Sequence, residues 1–595
     1  MAKKHKPAGE STVDRRSFLK GTAAGIGGAA ALAGLGANQP AEAAQIRTNI
    51  KWDQTYDVVV IGSGAAGMPA AVAAVDNGAT VLVVEKCWDV GGRGILSGGQ
   101  VQLGCGNRVQ QQYGVKDSPD QFFLDYTGSE GQTPAGIDPD VYGPGGNPLA
   151  KHNDRELIRA FADNAVATMD FLLDHGVEFT GLGGTRGPGD PKVPRNANVK
   201  VWPNRAEHIV DGTRGTGLIR PLEKYARSKG VKFLLLHRMT ELHRAGSNSG
   251  PVLGITASEV DRWNKPTGRI VNIRARGGVI IATGGPSANV NFRRIYDPRL
   301  TEEYGVWASA WTTKDADGEL AALAVGASLW TASNQVNLGD RQVDRAGGRL
   351  GTRQNGSPPI PPDCPVFFRQ VAMGLGITDW QDAIMVKENG RRFSEETLRG
   401  KLMGSLGWRQ HVDAALAWSG NPKKLNGGGP IWAIFDAAAV KRERWNTEAP
   451  YTDRAGGFFF SADTLEELAS QLTKCPYQTW PMQGSALRAT VERYNSFVDS
   501  GVDADFGKPT PTRKIETPPF YAAWATPVLH DVYAGIRINT NAQVVDLHGQ
   551  VISGLYAGGE CSSGVAQHGL AKSILFGRLA GIHAATHDAM DRTSG

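Results

Sequence analysis

Cysteine is scarce in this sequence, and its spacing matches no metal-binding motif. The 595 residues include five cysteines, which are scattered and form neither a C-x-x-C nor a C-x-x-C-H motif. Those spacings are typical of zinc, iron–sulfur and c-type haem sites. We therefore predict no metal site in this chain, and the spacing alone predicts no particular disulfide.

Charge of one sign is not in large excess either. The chain has 64 Lys and Arg residues against 59 Asp and Glu residues, which gives a formal net charge of +5. The first 43 residues contribute +3 of this charge, with six basic and three acidic side chains, so the rest of the chain carries +2. Binding to nucleic acid or to an anionic surface usually requires a basic block or face. We expect neither partner.

A long apolar run is also missing. The weakly apolar stretch from Gly21 to Ala37 is short and rich in glycine, whereas a membrane-spanning helix needs about 20 apolar residues. Arg15 and Arg16 precede this stretch, and the small-x-small sequence Ala41-Glu42-Ala43 follows it. This order predicts a twin-arginine signal peptide over residues 1–43, export to the periplasm and no membrane span in the mature form.

The rest of the sequence is organised around one glycine-rich turn. The β-branched run Val58–Ile61 predicts a buried parallel strand. It ends at Gly62, Gly64 and Gly67, which have the G-x-G-x-x-G spacing. The alanine-rich residues 70–75 then predict a helix. A strand, these glycines and a helix in this order are typical of a dinucleotide-binding unit.

Each position has a physical role in such a unit. Gly62 permits the tight turn, Gly64 lets the backbone approach a pyrophosphate, and Gly67 lets the helix pack closely on the strand. The phosphates would lie at the helix N-terminus. The next strand, Thr80–Val84, stops at Glu85, which is placed to accept hydrogen bonds from a ribose. NAD and FAD both use this unit, so it leaves the choice between them open.

Three further segments resemble one flavoprotein family. They are the run after Glu85 that contains Gly91-Gly92, the sequence Ala282-Thr283-Gly284-Gly285, and the sequence from Gly554 to Glu560. They are similar to the segments that surround FAD in fumarate reductases, succinate dehydrogenases and 3-ketosteroid dehydrogenases. The resemblance covers nearly the whole chain after residue 55. It implies that the cofactor is FAD rather than NAD.

The glycine-rich turn and this resemblance together define a set of predicted FAD contacts. The set comprises Gly62, Gly64, Ala65, Ala66, Gly67, Glu85, Lys86, Gly92, Arg93, Ser97, Gly98, Gly99, Ala282, Thr283, Gly284, Gly559, Glu560, Ser573 and Ile574. We expect the purified protein to be yellow and to release FAD.

The resemblance also implies the architecture. We expect an α/β protein with a Rossmann-like FAD-binding domain, residues 55–286 and 526–592, and an inserted α+β capping domain, residues 287–525. In the FAD-binding part, sequence patterns predict helices at 154–175, 213–229 and 573–591, and strands at 231–236, 252–258, 269–273 and 278–282. The proposed capping domain is rich in tryptophan, which predicts core packing or a cage for an apolar or aromatic substrate.

The resemblance further implies the type of chemistry. In this family the flavin exchanges a hydride with one carbon of a C–C bond, and a side chain handles the proton on the next carbon. The bond lies beside a carbonyl, which the site must polarise. From their positions after the family motifs, we predict Arg399 as the proton relay, assisted by Glu396, and His568 as the group that holds the substrate oxygen. Tyr533 and His530 would line the same cavity.

The sequence departs from the fumarate reductases at two of their substrate-binding positions. Asp531 replaces a histidine, and residues 566–572 lack the expected arginine. Binding a dicarboxylate requires paired cationic groups. We therefore expect a different substrate, with His568 polarising a carbonyl or phenol as a tyrosine does in the 3-ketosteroid dehydrogenases.

Two functions remain open from the sequence. The first is an exported FAD-dependent oxidoreductase that acts on a CH–CH bond of a small, apolar or aromatic enone or ketone and uses a separate electron carrier, a cytochrome or a quinone. The second is a flavoprotein electron-transfer subunit without a small substrate of its own. The capping domain favours the first, because a carrier gains nothing from a closed cavity over its flavin.

Overall fold

The computed structural model describes residues 50–127, 153–183, 193–202, 213–306, 311–330, 349–353, 360, 362–364, 367–397, 411, 413–529, 532–565, 567 and 570–586. These residues belong to one compact unit, Thr48–Gly595. The described helices are α1 (Gly67–Asp76), α2 (Arg108–Gln112), α3 (Pro119–Thr127), α4 (Arg155–Asp174), α5 (Arg214–Ser228), α6 (Val290–Arg293), α7 (Asp317–Ala324), α8 (Phe367–Gln370), α9 (Ala437–Glu443), α10 (Leu465–Gln471), α11 (Gly484–Ser500) and α12 (Ala571–Thr586). The described strands are β1 (Gln54–Ile61), β2 (Val81–Val84), β3 (Gln100–Val101), β4 (Phe179–Gly183), β5 (Asn196–Val199), β6 (Lys232–Leu234), β7 (His237–Gly246), β8 (Ser249–Val260), β9 (Pro266–Ile281), β10 (Gly305–Val306), β11 (Leu329–Trp330), β12 (Ile384–Lys387), β13 (Ile431–Asp436), β14 (Phe459–Ala462), β15 (Phe520–Trp524), β16 (Val528–Leu529), β17 (Gly535–Ile536), β18 (Gln543–Val545) and β19 (Val551–Ala557).

The largest sheet has eight strands of mixed direction. Its order is β18-β19-β9-β1-β2-β6, with β8 paired to β9 and β7 paired to β8. Strands β19, β9, β1, β2 and β6 pair in parallel, whereas β18, β8 and β7 pair antiparallel to their neighbours. Residues 58–61 and 81–84 are buried, as continuous apolar strands covered on both faces should be. The predicted α/β class is confirmed.

Strand β9 corrects one prediction. The sequence patterns indicated separate strands at 269–273 and 278–282, but β9 runs without a break from Pro266 to Ile281. Gly277 and Gly278 lie where the register between β1 and β9 shifts. A Cβ at Gly277 would come within 2.4 Å of the carbonyl oxygen of Ala584 in α12. The glycines mark a bulge beneath a close helix contact rather than the end of a strand.

Helices α1 and α12 cross with their backbones in close approach. A Cβ at Gly577 would lie 2.2 Å from the carbonyl oxygen of Ala66, and one at Gly581 would lie 2.2 Å from that of Ala70. The two glycines are four residues apart, so they lie on the same face of α12. Small residues thereby hold α12 against α1 and bring the N-terminal ends of both helices to the same region.

Three predicted helices are present with small shifts at their ends. Helix α4 begins after Asp154, whose side chain accepts hydrogen bonds from the N–H groups of Glu156 and Leu157. It is followed by Gly176 at a φ of +83°, as expected for a helix end. Helix α5 matches the second prediction within one residue at each end. Helix α12 begins two residues earlier than predicted, at Ala571, and residues 587–591 lie outside the described residues.

A four-stranded antiparallel sheet lies in the region 287–525. Its order is β12-β13-β15-β14. One face of this sheet, which includes Val386, Trp432 and Trp524, packs on α10 and α11. The opposite face, which includes Met385 and Phe435, packs on α9. Side chains of each strand alternate between the two cores because successive residues point to opposite faces.

Several tryptophans of this region serve core packing, whereas Trp418 is exposed. Trp311 and Trp432 are fully buried, and Trp380 is buried. The indole N–H of Trp432 donates to Oε1 of Gln478 at 2.9 Å. For these residues the interpretation as core is confirmed, whereas Trp307 and Trp408 lie outside the described residues.

Several predictions about organisation stay predictions. The eight-stranded sheet takes its strands from residues 54–281 and 543–557, and the four-stranded sheet takes its strands from residues 384–524, but the proposed domain boundaries are untested. The predicted signal peptide lies outside the described residues. Within the described ranges, no helix combines the length and the apolar character that crossing a membrane requires. All five cysteines fall in these ranges, and Cys87, Cys105, Cys475 and Cys561 are buried free thiols.

Candidate functional site

The turn between β1 and α1 opens onto a cleft. Gly62 has a φ of +96°, and a Cβ there would lie 2.5 Å from the carbonyl oxygen of Ala282. Both constraints demand glycine. At Gly64 the situation differs, because the protein atom nearest to an added Cβ, the carbonyl oxygen of Gly91, would be 3.8 Å away. The protein therefore leaves the space beside Gly64 open.

Gly67 has a third role. A Cβ at this position would lie 1.8 Å from the carbonyl oxygen of Gly62. This agrees with the predicted close packing of helix on strand. Gly67 does not line the cleft, so it shapes the site without touching a ligand there.

Glu85 follows β2 and lines the cleft with a fixed side chain. Its Oε2 accepts hydrogen bonds from the N–H and the hydroxyl of Ser63, at 2.9 and 2.7 Å, and its Oε1 accepts one from the N–H of Cys87 at 2.9 Å. The residue is 5% exposed. Each carboxylate oxygen can accept more than one hydrogen bond. These contacts therefore orient Glu85 and leave it able to accept from a ribose hydroxyl.

The second glycine segment packs against the first. The N–H of Gly91 donates to Oγ of Ser63 at 3.0 Å. A Cβ at Gly92 would lie 3.3 Å from Cα of Gly64. Two backbones thus approach each other without side chains between them, and together they form one wall of the cleft.

Residues after this contact continue the wall. Arg93, Ser97 and Gly98 line the cleft. A Cβ at Gly98 would meet no protein atom within 4 Å, so Gly98, like Gly64, faces space that the protein does not fill. Gly99 does not line the cleft, because a Cβ there would lie 2.4 Å from Cβ of Arg214 in α5. Gly99 therefore allows the chain to pack closely on α5.

The ends of β9 and β19 supply the opposite wall. Ala282, Thr283, Gly284, Gly559 and Glu560 all line the cleft. The Oε1 atom of Glu560 accepts a hydrogen bond from the N–H of Val532 at 3.0 Å and pairs with the ammonium of Lys314. Its Oε2 lies 3.9 Å from the guanidinium of Arg93. Glu560 is therefore held between two cations.

The N-terminal end of α12 closes the same side. Leu570, Lys572 and Ser573 line the cleft, and Ile574 is fully buried behind them. The Lys572 side chain is buried. Its Nζ lies 3.4 Å from the carbonyl oxygen of Val532 and 5.0 Å from the centre of the Tyr533 ring.

A cluster of charges lies near Glu85. Lys86 forms ion pairs with Asp315 at 3.1 Å and with Asp317 at 3.2 Å, and Asp317 also pairs with Arg238. Burial opposes the charge on Lys86, but the two carboxylates outweigh this effect and raise its pKa. Lys86 therefore stays protonated while it holds the segment that precedes α7.

A buried acid lies in α7 close to this segment. Glu319 is fully buried. Burial, with the charges of Asp317 and Glu560 acting in the same sense, raises its pKa well above the ordinary value of 4.5. Burial therefore favours the neutral form of the Glu319 carboxyl.

The cleft has an empty volume of about 1390 Å³, including space open to solvent. Open space beside Gly64 and Gly98, an acid after β2 and the N-terminal ends of two helices all fit FAD. Every predicted FAD contact lines the cleft except Gly67, Gly99 and Ile574, which pack around it. Their individual roles toward FAD stay predictions.

Of the four predicted catalytic residues, Tyr533 is the one that the structure describes. Arg399, His530 and His568 lie outside the described residues. Tyr533 is 4% exposed, its ring contacts Lys572, and its carbonyl oxygen accepts from the hydroxyl of Ser563. The structure therefore brings Tyr533 close to the N-terminal end of α12, and its catalytic role stays a prediction.

Glu396 was expected to assist Arg399, and its contacts give it another role. Both of its oxygens accept from the guanidinium of Arg392 at 2.9 Å, and Lys508 lies 3.3 Å away. The residue is fully buried. Glu396 is therefore part of an ion cluster inside the region 287–525. Arg399 lies outside the described residues, so the expected partnership stays a prediction.

Sequence reasoning missed several residues that line the cleft. They are Ser63, Gln100, His237, Arg238, Lys314, Asp317 and Lys572, among others. Ser63 occupies a variable position of the glycine motif, so adjacency was the signal that could have found it. Lys314 had no local signal, because its partner Glu560 is 246 residues away. Within the described residues, no group of three or more His, Cys, Asp or Glu is arranged to hold a metal ion.

Comparisons with known proteins agree with this geometry. The family described as "FAD binding domain" matches residues 57–572. The acrylate reductase flavoprotein subunit of Shewanella woodyi is 28% identical over 567 residues, which cover 94% of this chain and 94% of that protein. The 3-oxosteroid 1-dehydrogenase of Mycolicibacterium smegmatis is 28% identical over 619 residues, which cover 91% of this chain and 99% of that protein. A solved structure of a flavocytochrome c3 fumarate reductase in its open conformation superposes with a TM-score of 0.59 at 24% identity, covering 99% of this chain and 83% of the other.

The fold and the cleft define a flavoprotein that binds its dinucleotide at the ends of a mixed, mainly parallel sheet. The family match extends over most of the chain, so this protein belongs to the FAD binding domain family. Its cofactor is FAD, and it is an FAD-dependent oxidoreductase.

Proposed function

We propose that this protein is exported and transfers a hydride between FAD and one carbon of a CH–CH bond next to a carbonyl group, with a separate electron carrier. One observation carries the proposal. Thr312, Thr313, Lys314 and Asp317, which belong to the region 287–525, line the same cleft as the glycines of β1 and β19. A cofactor covered in this way suits an enzyme with its own substrate better than a simple carrier of electrons.

The relatives support the class of bond. Their names refer to acrylate, a 3-oxosteroid and fumarate. In each of these compounds a C–C bond lies next to a carbonyl carbon. The relatives differ widely in substrate size, so they do not define one substrate, and the missing arginine in residues 566–572 argues against a dicarboxylate here.

The protein's own residues would bind and orient. FAD supplies the hydride chemistry when it is bound. Gly62 and Gly64 would admit its pyrophosphate, and Glu85 would hold a ribose. Arg399 is proposed to move a proton, and His568 to hold the substrate oxygen with Tyr533 and His530 beside it.

The proposal is tested by anaerobic spectroscopy of the purified holoprotein. Small enones and saturated ketones, with fumarate and succinate for comparison, are mixed with reduced or oxidised protein, and the flavin absorbance is followed. We expect at least one apolar enone or ketone to change the flavin redox state within seconds, and we expect one-electron dyes to support turnover where NADH does not. Efficient turnover with NADH would contradict the separate carrier. If only a redox protein and no small molecule changes the flavin state, the protein is an electron-transfer subunit.

A further inference from the structure

The three-stranded sheet β3-β5-β4 begins at the wall of the cleft. Strands β3 and β5 pair antiparallel, with Gln100 opposite Asn198 and Val101 opposite Ala197. Residues directly opposite each other lie on the same face of a sheet. Val101 and Ala197 belong to the buried apolar core, whereas Gln100 lines the cleft. The face that carries Gln100 and Asn198 is therefore the one opposite to the core, and it continues the cleft wall.

Four amide side chains lie on this face. The register of β3 and β5, continued by one residue, brings Gln102 opposite Asn196. Because side chains alternate along a strand, these two residues share the face of Gln100 and Asn198. The amide nitrogens of Asn196 and Asn198 lie 3.8 and 3.6 Å from where a Cβ at Gly183 of β4 would be. Both amides thus reach over a residue that has no side chain to separate them. We call Gln100, Gln102, Asn196 and Asn198 the amide surface.

Part of the amide surface is buried without hydrogen bonds. Gln102 is fully buried, and in the part of the chain that the structure describes neither polar atom of its side chain has a hydrogen-bond partner. The same is true of Oδ1 of Asn196, a residue that is 3% exposed. Buried polar atoms without a partner are costly and rare in folded proteins. They are expected mainly at functional sites, where a bound molecule supplies the missing partner.

Gln567 connects the amide surface to the segment before α12. Its Nε2 donates to the carbonyl oxygen of Gln102 at 2.9 Å and to the hydroxyl oxygen of Tyr126 at 3.4 Å. These contacts fix which end of the Gln567 amide is nitrogen, and its Oε1 has no partner among the described residues. Gln567 is 1% exposed. It directly precedes His568, which is predicted to hold the substrate oxygen, so the amide surface adjoins the predicted substrate site.

The atoms without partners define the chemical group that fits this place. In the described structure they are the side-chain carbonyl oxygens of Gln102, Asn196 and Gln567, and the amide nitrogen of Gln102. Carbonyl oxygens only accept hydrogen bonds, so the missing partner has to be a donor. Strands β3, β4 and β5 contain no charged side chain, so a carboxylate would meet carbonyl oxygens and no cation of this sheet. A hydroxyl group donates, accepts and carries no charge.

We propose that the amide surface and Gln567 bind a hydroxyl group of the substrate, which is then an uncharged enone or ketone with a hydroxyl group remote from its carbonyl. The partly exposed Gln100 and Asn198 lie toward the cleft, and the buried Gln102 and Asn196 receive the hydroxyl. This inference rests on the proposed function for the identity of the bound molecule as the substrate, and it defines the substrate class more narrowly.

Aromatic enones that share one skeleton test the proposal. They are benzylideneacetone and its derivatives with a para-hydroxyl or a para-carboxylate group. Their dissociation constants for the FAD-loaded protein are measured by isothermal titration calorimetry without an electron donor, so the measurement needs no turnover. We expect the wild type to bind the hydroxyl compound about tenfold more tightly than the unsubstituted one, as one additional hydrogen bond would give. The carboxylate compound should bind most weakly.

Gln102→Met removes the amide and keeps a side chain of similar length. This variant should bind the hydroxyl and the unsubstituted compound equally and keep the melting temperature of the wild type, because within the described residues its amide has no bond to lose. Gln370→Met is the matched control. Gln370 is 2% exposed and lies in α8, where its amide donates to the carbonyl oxygens of Ile360 and Ala372. The control should melt at a lower temperature and keep the preference for the hydroxyl compound. Asn198→Ala changes a partly exposed position of the same surface, so it tests the proposal even if Gln102→Met does not fold, and it should reduce the preference.

Two results would overturn the inference. One is a wild type that does not bind the hydroxyl compound, or that binds it no better than the unsubstituted one. The other is an unchanged preference in the folded Gln102→Met and Asn198→Ala proteins. If Gln102→Met in addition melts at a lower temperature, its amide holds only an ordered water. A preference that depends on the amides, together with no change of the flavin redox state by any enone or ketone, would refute the proposed function and leave the hydroxyl-binding surface standing.

Discussion

At the scale of single residues, the three glycines of the β1–α1 turn are glycine for three different reasons. Gly62 needs a positive φ. At Gly67 an added Cβ would lie 1.8 Å from the carbonyl oxygen of Gly62. Gly64 has neither constraint from the protein, because its added Cβ would be 3.8 Å from the nearest atom. Its side of the turn is open for the ligand, so a substitution there acts on FAD rather than on the fold.

Gly64→Val should therefore yield folded, colourless protein, because the side chain would occupy the space of the pyrophosphate. The measurement is the ratio of FAD absorbance to protein absorbance, with circular dichroism to follow folding. Gly181→Val is the matched control, since an added Cβ at Gly181 in β4 would lie 3.9 Å from its nearest neighbour and outside the cleft. Retention of FAD by Gly64→Val would refute the assignment of this turn to the pyrophosphate.

At the scale of elements, a buried ion cluster joins parts of the region 287–525. Arg392 contacts Glu396 and Asp503 at 2.9 Å, and Lys508 adds a second cation at 3.3 Å from Glu396. The N–H of Met385 in β12 also donates to Glu396 at 3.2 Å. Removing one partner of such a cluster leaves an uncompensated buried charge. The cluster therefore holds β12 to the segments around Arg392 and Asp503.

The pH dependence of stability follows from Glu396. Burial raises the pKa of its carboxyl, but Lys508 and Arg392 outweigh burial and hold the pKa below the ordinary value of 4.5. A carboxyl whose folded pKa is depressed stabilises the folded state above its unfolded pKa, and this contribution is lost as the pH falls through the folded value. Stability should therefore decline below about pH 4.5.

Glu396→Gln should lower the free energy of unfolding by about 3 kcal/mol at pH 7. It should also make the loss of stability below about pH 4.5 less steep. The midpoint of thermal unfolding, measured between pH 7 and pH 3, reports both effects. The surface pair of Glu466 with Arg488 provides the control, because both side chains are exposed and Glu466→Gln should change little. An equally steep acid decline in Glu396→Gln would show that other carboxyls govern acid unfolding.

At the scale of the whole molecule, the cofactor site and the predicted export signal occupy different parts of the sequence. The described residues that line the cleft lie within the unit Thr48–Gly595, whereas the predicted signal occupies residues 1–43. The twin-arginine route carries folded proteins, so FAD would be bound before export.

Replacing Arg15 and Arg16 by Lys should leave the full-length protein in the cytoplasm, uncleaved and loaded with FAD. Cell fractionation with immunoblotting gives location and size, and absorbance of the purified protein gives FAD content. A chain that starts at residue 44 should bind FAD equally well and also stay in the cytoplasm. Arrival of the double variant in the periplasm would refute the twin-arginine assignment.

The sequence by itself determined those features that depend on neighbouring residues. The strand, glycines and helix from Val58 to residue 76 were predictable because backbone conformation and the periodicity of burial are local. The same holds for the N-cap of α4 at Asp154. The three FAD segments were found because each is a short motif, although 468 residues lie between Glu85 and Gly554, where the last segment begins. The single strand β9 was misread, because Gly277 is required by the close approach of the Ala584 carbonyl oxygen in α12 rather than by a turn.

Only the tertiary structure decided which distant side chains share the cleft and which do not. Lys314 meets Glu560, and Lys86 meets Asp317, across hundreds of residues that no local pattern connects. The sequence could not show that Glu396 belongs to a buried cluster with Arg392, Asp503 and Lys508, because the last two residues are more than 100 positions away. Lys572 looked unremarkable in sequence, and only the packing of α12 places it in the wall of the cleft. Electrostatic and packing energies depend on distance in space, and the chain order does not contain that distance.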